Sequence, residues 1–102
     1  MKRSTEWFQQ YLPQLTAFGF KPDWADTDPD GGVTSFNSVA ASAAEVKSYF
    51  KAEGFVNLDK RTYMAHTGNP HINLYDAQKN TVQISWFPKG GMVGVSFLGG
   101  AL

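Results

Sequence analysis

Downstream of residue 70, apolar side chains alternate with polar ones over three consecutive stretches: Ile72 and Leu74, then Val82, Ile84 and Trp86, then Val93, Val95 and Phe97. A period of two places each set on one side of a strand, and a slip of one residue would turn a strand inside out. The three stretches must therefore share one buried face. The turns between them can be assigned on the same ground. If Thr67, Gly68, Asn69 and Pro70 form a four-residue loop, a fourth strand joins, with His66 opposite His71, Ala65 opposite Ile72, Tyr63 opposite Leu74 and Arg61 opposite Asp76. Gln78, Lys79 and Asn80 then make a three-residue hairpin loop with Asn80 in the left-handed conformation, and Pro88 to Gly91 a four-residue one.

Two helical stretches are available to cover that face. Trp7, Phe8, Tyr11, Leu12, Leu15 and Phe18 recur at helical spacing, with Ser4 or Thr5 as N-cap. Pro13 interrupts this stretch and predicts a kink or two short segments. Ser42 and Glu45 form a capping box that opens a second helix, which turns Val46, Tyr49 and Phe50 inward. Both helices run into Gly-Phe, at Gly19-Phe20 and Gly54-Phe55, where a left-handed glycine ends the helix and the phenylalanine packs back on the last turn. Between the helices, Phe20 to Trp24 and Val33 to Val39 read as strands flanking a polar loop. The expected architecture is a single α+β domain over residues 1–102. Two helices pack on one face of an antiparallel meander of about four strands, with an additional N-terminal hairpin between the helices.

Composition narrows the function classes. The chain is 42% hydrophobic and 15% aromatic, the content of a folded core, and its formal net charge is zero. A neutral chain lacks the cationic surplus with which nucleic-acid binders neutralise phosphate, so nucleic acid is not expected as a partner. Charge is uneven, however: residues 22–44 carry four aspartates and no base, which leaves a surplus of four positive charges elsewhere. The absence of cysteine excludes disulfides, thiolate metal sites and cysteine nucleophiles. Met1, Lys2 and Arg3 are followed by Ser4, Thr5 and Glu6 in place of the apolar core of a signal peptide, and no apolar run reaches the roughly 20 residues of a membrane helix. A cytoplasmic chain with no membrane partner is expected.

Three stretches could carry chemistry. Asp26, Asp28, Asp30 and Gly31 resemble the opening of an EF-hand calcium loop, but Asn37 stands where the bidentate glutamate closes the shell. A polar turn is the expectation, with a weak calcium loop as the alternative. His66 and His71, set opposite each other by the proposed hairpin, could share a metal or act as an acid and base pair beside Ser85, the basis of a small enzyme or metal protein. No triad, elbow or phosphate-loop spacing accompanies them, and no cofactor is expected. The third is the sheet face opposite the helices, where Met64, Tyr75, Phe87 and Met92, with Asn73, would form an apolar patch. Such a patch points to a non-catalytic protein-binding or regulatory module, contacting a protein partner or forming a homodimer.

Substituting Asn37 for glutamate removes a charge and an oxygen from any calcium shell. Titration calorimetry should give a calcium dissociation constant weaker than about 10 μM, and a tighter one would restore the calcium-loop reading.

Overall fold

The computed structural model describes residues 7–23, 33–58, 61–64, 69–87 and 91–98. A 3-10 turn, Gln9–Tyr11, leads into helix α1 (Leu12–Ala17). Strands β1 (Lys21–Pro22) and β2 (Ser35–Ser38), helix α2 (Ala43–Ala52) and strands β3 (Tyr63–Met64), β4 (Pro70–Tyr75), β5 (Thr81–Phe87) and β6 (Met92–Leu98) follow. The strands form one antiparallel sheet in the order β1-β2-β6-β5-β4-β3.

The helix boundaries follow from local chemistry. Pro13 splits the first apolar stretch into the 3-10 turn and α1, and lies in the first turn of α1, where a missing amide removes no helical bond. The expected caps Ser4 and Thr5 lie outside the described residues. At the other end Gly19 adopts φ +91°, its amide bonds to the Thr16 carbonyl at 2.9 Å, and the Phe20 amide bonds to the Leu15 carbonyl at 2.9 Å. This paired arrangement satisfies the carbonyls that a helix end leaves free. Helix α2 repeats it: Gly54 has φ +101°, and the Phe55 amide reaches the Phe50 carbonyl at 3.0 Å. The capping box is formed, with the Glu45 amide donating to Ser42 Oγ at 3.2 Å and the Ser42 amide to Glu45 Oε1 at 2.8 Å.

The sheet departs from the expected meander in three ways. The N-terminal hairpin is not separate. β2 pairs with β6, Phe36 opposite Val95 and Asn37 opposite Gly94, and this gives six strands instead of about four. β6 reads as a central strand, with Val93, Gly94, Val95 and Phe97 all buried, and its outer edge needs a partner for its backbone groups. Second, Lys79, not Asn80, takes the left-handed position of the β4–β5 loop (φ +65°). Asn80 is instead held by Asp76, whose Oδ1 accepts from its amide at 2.8 Å and whose Oδ2 accepts from its side-chain nitrogen at 2.9 Å. The shift leaves the face assignment intact: Ile72, Ile84, Val95 and Phe36 form one buried row across four strands, and Leu74, Val82 and Phe97 another. Third, Tyr63 and not His66 stands opposite His71, and Met64 stands opposite Pro70. A displacement by an odd number of residues exchanges the two faces of β3.

The core lies between the helices and this inner face. Its centre is Phe97, 1% exposed, whose ring stacks on Phe8 at 4.2 Å with 5° between planes and meets Trp7, Phe36 and Phe50 edge-on at 5.6 to 6.0 Å. Tyr11 and Tyr49 pack at 6.3 Å on the border of this cluster. Burial first, then the Glu53 carboxylate, pushes both phenol pKa values above the ordinary 10.0. Trp86, expected beneath Trp7, Tyr11 and Leu15, does lie on the inner face but only half-buried at its margin, because the helical rings gather over β6 and β2. Among the described residues no helix is long and apolar enough to cross a membrane.

Truncating the centre should therefore cost more than truncating the margin. Phe97→Ala should destabilise by about 3 to 5 kcal/mol and Trp86→Ala by roughly half as much in denaturant titrations. Equal costs would return Trp86 to the middle of the core.

Candidate functional site

The two faces of the sheet offer different chemistry. On the face away from the helices, the registers align His71, Ser85, Gly94 and Asn37 in one row and Asn73, Gln83, Ser96 and Ser35 in the next. Ser35 and Ser96 share a hydrogen bond at 2.8 Å, and Asn37 Nδ2 donates to Asp23 Oδ2 at 3.5 Å. Ser85 Oγ and Asn37 Oδ1 close over Gly94, 2.8 and 3.1 Å from where a Cβ would stand. The Oδ1 atom of Asn73 is buried without a partner. The middle of this face is thus a carpet of hydroxyls and amides.

That carpet divides the expected apolar patch. Phe87 and Met92 pair at one end of β5 and β6, whereas Tyr75 lies at the other end in a row with Thr81 and Leu98. The β3 register turns Met64 to the opposite side of the sheet, beside Pro70, where it is 65% exposed. Met64, Tyr75, Phe87 and Met92 are therefore not brought together, and Asn73 sits among polar groups.

His71 is half-buried and stacks on Tyr63 at 5.3 Å with 16° between planes, and the Arg61 guanidinium carbon lies 4.8 Å from the centroid of the Tyr63 ring on the same edge. Ser85 is directly opposite His71 on β5. His66, Asp26, Asp28 and Asp30 lie outside the described residues, so the histidine pair and the aspartate loop have no geometry to report. Among the described residues no three histidine, aspartate or glutamate side chains are grouped to hold a metal.

The concavity is on the helix side. A groove of about 900 Å³ runs between α2 and the β4–β5 end of the inner face. The half-buried Trp86 is the accessible part of its floor, and Phe55, Ile72 and Ile84 beneath it are 0 to 6% exposed. Ala43, Ala44, Lys47 and Lys51 of α2 form one wall, and Val56, Asn57, Arg61 and Thr62 line the rest. Val56 is fixed there by two backbone bonds with Tyr75, each 2.8 Å. Helix α2 packs against β5, and the groove lies where its Ala43, Lys47 and Lys51 stripe borders the sheet. Lys47 and Lys51 are one helical turn apart, and among the described residues neither is paired with a carboxylate. Arg61 enters the lining, but its guanidinium lies over the Tyr63 ring, which stacks on His71 on the outer side of the sheet.

Sequence reasoning missed this groove. The available signal was the stripe Ala43, Lys47 and Lys51 beside the buried positions Val46 and Phe50, a line of small and cationic residues where a fully covered helix would continue apolar. No protein-family model matches the chain, and comparison with curated proteins and with solved structures gives no match.

Proposed function

We propose that the protein is a cytoplasmic, non-catalytic protein-binding module and that its recognition surface is the groove beside α2, not the outer face of the sheet. The observation that carries this reading is the half-buried Trp86 at an apolar concavity beside Lys47 and Lys51 of α2. Buried interface centres favour aromatic anchors ringed by polar groups, and Trp86 with its surround has that composition. The outer face supports the reading less well, because its large apolar groups stand at opposite ends of a polar middle.

The enzymatic alternative has one point in its favour, the opposition of His71 and Ser85. A hydrolytic pair needs an enclosed space for its substrate, and the groove lies on the other side of the sheet with neither residue in its lining. The binding reading therefore has the stronger geometric support.

Photocross-linking separates the faces. A cross-linking side chain at Ala44, in the groove wall, should join a discrete protein in cells of the native source, and Trp86→Glu should abolish the adduct. The same probe at Ser96, in the outer face, should join none. Adducts confined to Ser96 would move the interface to the outer face, and an adduct with a second copy there would revive the homodimer.

A further inference from the structure

We infer that the groove takes an acidic amphipathic helix, a segment whose apolar stripe is flanked by carboxylates; the inference rests on the groove being the recognition surface. The charge pattern comes first. Lys47 and Lys51 stand on the α2 wall, beside the half-buried Trp86 and the exposed Val56. A single carboxylate can pair with only one of two ammonium groups a turn apart, whereas a helix carrying acids along the side of its apolar stripe meets both. The spacing agrees: residues at i and i+4 are neighbours about 5 to 6 Å apart on a helix, so Glu or Asp one turn apart matches Lys47 and Lys51.

Length and shape point the same way. From Ala43 to Lys51 the α2 wall rises about 12 Å, or two helical turns, which is the reach of anchors at i, i+3, i+4 and i+7. Ala43 and Ala44 keep one end of that wall low, so a second helix can approach α2 closely, since side-chain size at the contact sets the distance between helix axes. The contact joins apolar burial, which supplies the affinity, to exposed ion pairs, which select the partner and weaken as salt rises.

The test uses synthetic peptides of roughly 15 residues, long enough for a helix to form on contact. One has Leu and Ile at i, i+3, i+4 and i+7 with flanking Glu, its sister has Lys at the flanks, and sodium dodecanoate is the third probe. Amide and indole signals of the full chain are followed by NMR. The acidic peptide should shift Ala44, Lys47, Thr62 and Trp86, leave Ser35 and Ser96 in place, become helical, and bind about tenfold more tightly than its sister. The Lys47→Glu and Lys51→Glu double variant, which alters only the rim, should reverse that order. Equal binding of both peptides in the groove would overturn the acidic-helix assignment and leave the groove as the recognition surface. Dodecanoate in the groove with no peptide binding would replace the helix by a small amphiphile. If no probe shifts the groove signals, or only Ser35 and Ser96 move, the groove reading fails as well.

Discussion

The stack of Phe8 on Phe97, 4.2 Å apart and nearly parallel, locks the helical layer to the sheet. Phe97 belongs to β6, which has β2 on one side and β5 on the other, so the layer is pinned over that part of the sheet. Phe50 and Phe55 carry the cluster into α2, and the second Gly-Phe ending fixes where that helix stops. Aromatic pairs of this kind add to the burial of their area, and the fully buried Phe8, Phe50, Phe55 and Phe97 form its least exposed part. The β3–β4 side lies away from this anchor, and there the groove opens.

The two faces of the sheet thereby acquire different surfaces for one reason. Where rings cover the inner face, its side chains are uniformly apolar; at its margin the half-buried Trp86, next to the buried Ile72 and Ile84, opens onto a concavity with Lys47 and Lys51 on its wall. On the outer face polar groups pair in part with one another, as Ser35 does with Ser96, while Asn73 Oδ1 is buried without a hydrogen-bond partner. A polar face has less to gain from a partner than a concave apolar one, since burying apolar area is the main favourable term in association. Here the surface that the packing leaves incomplete is the better candidate for recognition.

Much of the fold was legible in residue order because local chemistry determined it. Ser42 with Glu45 and the two Gly-Phe pairs needed no distant contact, and alternation alone gave the correct faces of β4, β5 and β6. The pairing of β2 and the margin position of Trp86 depended on partners far along the chain. Nothing near Phe36 announces that it will stand opposite Val95. Ser38 is another example: its Oγ donates to the Phe18 carbonyl at 3.0 Å and accepts from the Ala40 and Ala41 amides, tying β2 to the end of α1 across twenty residues. For β3, a loop-length assumption fixed the parity, and parity decides which face a side chain occupies, so Met64 and Tyr63 exchanged sides. The size of Trp86 points to the centre of the core, whereas the helical rings gathered on Phe97 leave it at the margin. The groove was invisible for that same reason: it is a property of incomplete coverage, not of any motif.

The central claim, that the helical layer leaves the Trp86 end of the inner face open, can be tested on the indoles. A soluble paramagnetic agent broadens NMR signals of side chains it can approach. The Trp86 ring should broaden strongly, while the Phe97 ring and the Trp7 indole, whose Nε1 is buried, should be protected. Protection of Trp86 equal to that of Phe97 would mean that the inner face is fully covered, and the account of the groove would be wrong.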